Sequence, residues 1–258
     1  MAKFFSKVKN WAVSRPIFLI VALFAVAKLF FLLRYHLPIW DEAVYLGMGK
    51  YIYSLGSSGL WEILRPPALP LVTGISWKLG LPHVFFSEVI IVLFGVGAIV
   101  LSYLIANKLF NRKVAILAAA LLATSPWFFL YCSYILTEVP SVVFALLAIY
   151  AFISRRYFLS GGGAAAAMLF KFPNGLLLAA IAATIIASAI IKKRLWQKSQ
   201  LLPLIKVIAS FALVTLPFFV FNYLFYRPFT SNAFDAIFRP LILGAWHQSN
   251  PSKAIASQ

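Results

Sequence analysis

The chain has 258 residues, of which 63% are hydrophobic and 11% charged, with 23 Lys and Arg against 6 Asp and Glu. A mean hydropathy of +0.92 excludes a soluble globular enzyme and indicates a polytopic helical membrane protein. The net charge of +17 would suit nucleic acid, but most Lys and Arg lie in short segments between apolar runs, so nucleic acid is not an expected partner. The single cysteine, Cys132, excludes an intrachain disulfide.

Seven apolar runs are predicted to cross the bilayer as helices, since a crossing takes about 20 residues. They are roughly 16–35, 83–106, 114–131, 139–153, 157–170, 174–191 and 201–226. The first run is too long for a signal peptide and has no cleavage site, so it is predicted to be a true span. The predicted fold is all-α, with a membrane domain at 1–226 and a C-terminal tail at 227–258.

The basic residues predict the orientation. Lys and Arg precede the first span and follow the second, fourth and sixth, so the positive-inside rule places the N-terminus in the cytoplasm. All six acids then fall in the outer half of the molecule: Asp41, Glu42, Glu62, Glu88, Glu138 and Asp235. We therefore predict a multi-pass plasma-membrane protein with an extracytoplasmic functional face.

The outer segment between the first two spans, residues 36–82, is too long for a simple connection. Asp41 is predicted to be the N-cap of an interfacial amphipathic helix over 43–55. Glycines end that helix, and Arg65 follows them. The apolar stretch 68–81 is short, which favours an interfacial or re-entrant piece over an eighth crossing.

Four short motifs follow one another along the chain. They are Asp41-Glu42 after the first span, Arg65-Pro66-Pro67 in the outer segment, Thr137-Glu138-Val139-Pro140 after the third span and Lys171-Phe172-Pro173-Asn174-Gly175 between the fifth and sixth. Their order and their side of the membrane resemble those of the GT-C fold glycosyltransferases that use polyprenyl-phosphate sugars. That superfamily includes the protein O-mannosyltransferases and the aminoarabinose transferase of lipid A.

The resemblance implies transfer of a sugar from a dolichyl- or undecaprenyl-phosphate donor to a hydroxyl of a glycan, lipid or protein, with inversion. It implies that Asp41 and Glu42 are catalytic, Asp41 as the base, that Arg65 and Lys171 bind the donor phosphate, and that Glu138 and Tyr45 line the site. Membrane lipid is a further expected partner. No metal site or cofactor is expected, although Asp41 and Glu138 together could hold a divalent cation.

Each site residue also has a structural alternative. Asp41 could only cap its helix, Glu42 could be a solvated first-turn acid, Arg65 could anchor to lipid headgroups, Glu138 could follow Thr137 as N-cap, and Lys171 could reach water from a short helix. Separately, Lys28 and Glu88 lie at similar predicted depths in the first two spans. We therefore predict that these two pair.

The resemblance covers the N-terminal portion of such enzymes, whose members generally continue through further spans. A second subunit that supplies those spans is therefore a further expected partner. The alternative function is a non-catalytic or half-enzyme membrane subunit that binds lipid-linked sugar for a partner. A transporter would show internal repeats and polar residues near the midplane, whereas this sequence has no evident repeat and its acids cluster on the outer side, so a transporter is the least favoured function.

Overall fold

The computed structural model describes residues 16–32, 37–62, 64–191 and 198–225, and every regular element in these ranges is helical. In chain order they are α1 (Pro16–Leu32), α2 (Trp40–Tyr53), α3 (Ala68–Lys78), α4 (His83–Leu109), α5 (Arg112–Thr124), α6 (Pro126–Tyr131), α7 (Glu138–Ile153), α8 (Tyr157–Phe170), a 3-10 turn (Phe172–Gly175), α9 (Leu176–Ile191) and α10 (Lys198–Phe225). Among the described helices, three segments are long and apolar enough to cross a bilayer: His83–Leu109, Phe172–Ile191 and Leu201–Phe221. The helices α1, α7 and α8 are apolar but shorter. The chain is an all-α membrane protein, as predicted.

The predicted third span is the one that the structure divides. Residues 114–131 were expected to form one helix, and they form most of α5 and all of α6. The break lies at Ser125, whose hydroxyl accepts a hydrogen bond from the amide of Phe128 and so caps α6. Pro126 follows at the first helical position, where its missing N–H removes a donor that α5 would need to continue.

The segment between α1 and α4 folds as two helices in contact. Here α2 begins at Trp40 and ends at Tyr53, close to the predicted 43–55. It crosses α3 at a glycine pair, because a Cβ on Gly49 would lie 3.0 Å from the Cα of Gly74. With 11 residues α3 is too short to cross a bilayer, and it packs against α4 and α8. We call residues 37–81 the α2–α3 segment.

Two apolar clusters hold the helices together. The first joins α1, α2, α3, α4, α5, α7 and α8, and its fully buried members include Met48, Leu69, Ile91 and Ile99. The second joins α7, α8, α9 and α10 through small and branched side chains such as Ala148, Ala164, Ile185 and Val207. The α7–α8 hairpin contributes to both clusters and therefore connects the two halves of this packing.

The predicted pair of Lys28 and Glu88 is not a direct contact, since no ion pair within 4.0 Å joins them among the described residues. The ammonium of Lys28 donates instead to the carbonyl of Phe129 at 2.9 Å and to the hydroxyl of Ser133, and it lies 4.3 Å from the Phe129 ring centroid. Lys28 therefore ties α1 to the end of α6.

The chain divides into two compact units, residues 1–217 and 218–258. The second unit is described only as far as Phe225, in the last turns of α10. The predicted tail at 227–258 and the basic clusters at 1–15 and 192–197 lie outside the described residues.

Candidate functional site

Arg65 is the centre of a charged cluster in the α2–α3 segment. Its Nη2 donates to Oδ1 of Asp41 at 2.7 Å, and its Nε donates to Oε2 of Glu62 at 2.8 Å. Burial opposes the charged form of Arg65, but hydrogen bonds to Asp41, Glu62 and Tyr45 outweigh it and raise the pKa above its usual value. The side chain is only 20% exposed. Arg65 is therefore a fixed cation whose direction is set by its neighbours.

Asp41 lies in the first turn of α2, with its side chain 52% exposed. The prediction that Asp41 caps this helix is wrong, because Ile39 occupies the N-cap position and Asp41 is the second helical residue. A carboxylate in the first turn is still favoured by the helix dipole. With the cap assigned elsewhere, the structure leaves Asp41 bound to Arg65 and open to solvent.

Glu42, the neighbour of Asp41, points the opposite way and is fully buried. Its Oε2 accepts the amide of Ile39 at 2.7 Å, which is the reciprocal half of a capping box at the third helical position. Its Oε1 accepts the amide of Ile135 at 2.7 Å. This carboxylate therefore ties the start of α2 to the turn before α7.

Tyr45 lies one helical turn after Asp41 and so shares its face of α2. It is buried, and the guanidinium carbon of Arg65 lies 5.1 Å from the centroid of its ring. That distance is within the range of a cation–π contact. Arg65 is therefore held by the aromatic ring of Tyr45 and by the carboxylate of Asp41.

Glu138 and Lys171 form a second ion pair, with Nζ of Lys171 2.9 Å from Oε1 of Glu138. Glu138 is the first residue of α7, and Lys171 directly follows α8. Thr137 occupies the N-cap position of α7 but makes no side-chain cap bond there. Both charged side chains are about two-fifths exposed. The pair therefore closes one end of the α7–α8 hairpin and remains accessible to solvent.

The structure brings the six predicted site residues into two groups and one link. Asp41, Tyr45 and Arg65 form the first group, and Glu138 with Lys171 forms the second. Glu42 connects them, because its partner Ile135 lies three residues before Glu138. The packing of α3 against α8 also brings the two parts of the chain into contact.

Glu62 is a member of the first group that the sequence analysis did not include in the site. Its carboxylate is 42% exposed and holds the Nε of Arg65. The signal in the sequence was the three-residue spacing, because a turn in which the amide of Arg65 donates to the carbonyl of Glu62 brings the two side chains together. Glu62 therefore shares with Asp41 the task of orienting Arg65.

A metal site is not evident in the described part of the chain. No group of three or more His, Cys, Asp or Glu side chains there is arranged to hold an ion. The carboxylates that could serve as oxygen ligands are instead bound to Arg65, to Lys171 or to backbone amides.

Comparison with known proteins identifies the family. The family model described as dolichyl-phosphate-mannose-protein mannosyltransferase matches residues 64–221, which is more than half of the chain. The matched segment includes Arg65, Glu138 and Lys171, and it begins after Asp41. No curated protein and no solved structure matches the chain. The family consists of membrane glycosyltransferases with lipid-linked sugar donors, and the chain belongs to this dolichyl-phosphate-mannose-protein mannosyltransferase family.

Proposed function

We propose that the chain transfers a sugar from a polyprenyl-phosphate donor to an acceptor hydroxyl at the outer membrane face, with Asp41 as the base. Family membership supplies the reaction class. The observation that carries the assignment of residues is the contact between Asp41 and Arg65, which places a half-exposed carboxylate beside a fixed cation. Such a pair has the two charges that this transfer requires.

The proposed step is a single displacement. The acceptor oxygen attacks the anomeric carbon while its proton passes to a carboxylate oxygen of Asp41. The bond between the anomeric carbon and the phosphate oxygen breaks, and its electron pair leaves with the polyprenyl phosphate. The transition state resembles an oxocarbenium ion, and attack opposite the leaving group inverts the anomeric centre.

Arg65 is assigned to the departing phosphate. A guanidinium carries five N–H donors; the two carboxylates engage Nε and one N–H of Nη2, and Tyr45 takes a further donor. The remaining donors can reach a phosphate oxygen, where guanidinium groups bind in charge-assisted hydrogen bonds. Lys171 supplies the second cation, directed by Glu138. Tyr45 lines the site beneath the guanidinium.

Glu42 receives a positioning role in this proposal. Both of its oxygens accept backbone amides, and its side chain is buried, so an acceptor hydroxyl has no access to it. Its effect on transfer would come through the first turn of α2, which it holds in place for Asp41. In this proposal Asp41 takes the proton, and Glu42 positions the helical turn that carries Asp41.

A non-catalytic subunit that binds lipid-linked sugar for a partner is the second candidate. The observation in its favour is that the family match begins at residue 64 and leaves out Asp41. Under this alternative Arg65 and Lys171 would still bind the donor phosphate. Transfer would then need a partner.

The test compares two carboxylates that contact Arg65 from the same segment. The purified chain in lipid is given radiolabelled polyprenyl-phosphate sugar and a membrane extract as acceptor, and transfer is measured for wild type, Asp41→Asn and Glu62→Gln. We expect Asp41→Asn to lose on the order of 100-fold or more in turnover, as for loss of a general base. We expect Glu62→Gln to stay within a few-fold of wild type.

Equal turnover in wild type and Asp41→Asn would remove Asp41 from the mechanism. Equal losses in both variants would assign the acids to the orientation of Arg65 alone. Donor binding by wild type without transfer, abolished in Arg65→Gln, would favour the subunit that binds without catalysing.

A further inference from the structure

A second charged cluster lies at the opposite end of the α7–α8 hairpin. α7 runs from Glu138 to Ile153, a length of about 24 Å at 1.5 Å per residue. Its far end carries Arg155 and Arg156 before α8 begins at Tyr157. The cluster is therefore separate from the pair of Glu138 and Lys171 and plays no part in the proposed transfer.

The turn itself holds arginine where glycine is usual. The amide of Arg156 donates to the carbonyl of Ala151 at 2.8 Å, and that of Arg155 donates to Phe152 at 2.9 Å, which together form a Schellman motif. The residue after the C-cap in this motif adopts a left-handed conformation, and Arg155 does so with φ of 57°. Glycine takes this conformation without strain, whereas the Cβ of Arg155 makes it less favourable for the backbone.

The packing of α10 brings a third cation to the same place. A Cβ on Gly161 would lie 2.1 Å from the carbonyl oxygen of Val207, so the backbones of α8 and α10 touch at this point. Val207 is fully buried in the contact. The preceding residue, Lys206, is exposed and is thereby held beside the turn between α7 and α8.

These three cations line one cavity of about 530 Å³ together with apolar side chains. Its lining residues are Arg155, Arg156, Tyr157, Phe158, Leu159 and Lys206. Among the described residues, no carboxylate lies within ion-pair distance of any of the three cations. Like charges held together repel one another, so an anion in the cavity would be stabilised.

We propose that this cavity binds the phosphate of an anionic phospholipid, with the three cations around the headgroup and the apolar wall against the acyl chains. The wall favours a lipid over free phosphate, because Phe158 and Leu159 are 56% and 41% exposed beside the cations. In the predicted orientation this end of the hairpin faces the cytoplasmic leaflet. Basic pockets between membrane helices on that side bind anionic headgroups.

The test uses the full chain in detergent and measures bound lipid by native mass spectrometry. Phosphatidylglycerol, phosphatidylcholine and inorganic phosphate are titrated separately into wild type, the cavity variant Arg156→Gln/Lys206→Gln and the control Lys108→Gln/Lys113→Gln. The control removes the same number of charges from the region around the turn between α4 and α5. We expect the cavity variant to bind phosphatidylglycerol about tenfold or more weakly than wild type. We expect the control to match wild type.

Three results would overturn the proposal. The first is unchanged phosphatidylglycerol binding in the cavity variant, and the second is an equal loss in the control, which would indicate general surface charge. The third is displacement of phosphatidylglycerol by inorganic phosphate at similar concentration, which would make this a free-phosphate site. Lys206→Gln alone removes one exposed side chain and gives the same comparison if the double variant is not recovered folded.

Discussion

Replacing Glu42 by glutamine changes one buried carboxylate to an amide of the same shape. The carboxylate accepts two backbone amides, from Ile39 and Ile135, each at 2.7 Å. A glutamine keeps one acceptor oxygen and presents an NH₂ group to the other amide. One hydrogen bond is lost and two donors then face each other in a site that water does not reach.

The magnitude follows from these two bonds. A hydrogen bond to a charged group contributes about 1.5–3 kcal/mol, and a buried donor left unsatisfied costs about 1–3 kcal/mol. Because these two contributions partly overlap, we predict that Glu42→Gln destabilises the fold by roughly 2–4 kcal/mol. Glu42→Ala removes both acceptors and leaves a cavity, so its free energy of unfolding should fall further.

The assay is unfolding of the purified chain in mixed micelles, titrated with SDS and followed by the helical circular-dichroism signal. Glu62→Gln is the control, because it makes the same chemical change at a partly exposed ion pair, where the expected effect is below about 1 kcal/mol. A Glu42→Gln variant within about 0.5 kcal/mol of wild type would refute the reasoning, since a buried carboxylate with two donors cannot be replaced that cheaply.

Three further predictions concern the packing and the second ion pair. Gly161→Ala should lower the free energy of unfolding by about 1–3 kcal/mol or more in the same SDS titration, because the new methyl group would collide with the carbonyl of Val207 in α10. Gly97→Ala is the control: the nearest atom to its methyl group would lie at 3.5 Å, so it should be neutral or slightly stabilising. Lys28→Met should lower the unfolding free energy by about 1–3 kcal/mol through the loss of two hydrogen bonds to α6 and its following turn, and an unchanged SDS midpoint would contradict that anchor. Lys171→Gln should change stability by less than about 1 kcal/mol, because its pair with Glu138 is partly exposed, while raising the KM for lipid-phosphate sugar; an unchanged KM would argue against phosphate binding.

The apolar elements were predictable because hydropathy determines them directly. The observed α4, α7 and α8 begin within one residue of the predicted spans. The third span was predicted as one helix because its hydropathy is continuous across Ser125 and Pro126. A serine before a proline is a helix-start signal, so the break between α5 and α6 was available in the sequence.

The contacts between charged residues were predictable only in part. The resemblance assigned Asp41 and Arg65 to one site, but their 2.7 Å contact joins residues 24 positions apart and depends on how α2 crosses α3. Depth alone suggested that Lys28 would meet Glu88. Depth does not give the hydrogen-bond partners of a side chain, and Lys28 donates to Phe129 and Ser133.

The carboxylate that joins two amides also constrains when this protein can complete its fold. Glu42 leaves the ribosome 93 residues before Ile135, the second donor that it accepts. Until translation reaches that turn, the carboxylate of Glu42 accepts only the amide of Ile39, and the packing that buries it has not yet formed. Maturation of the segment that carries Asp41 must therefore wait for insertion of the middle of the chain, so a nascent protein arrested before residue 135 would expose α2 to proteases.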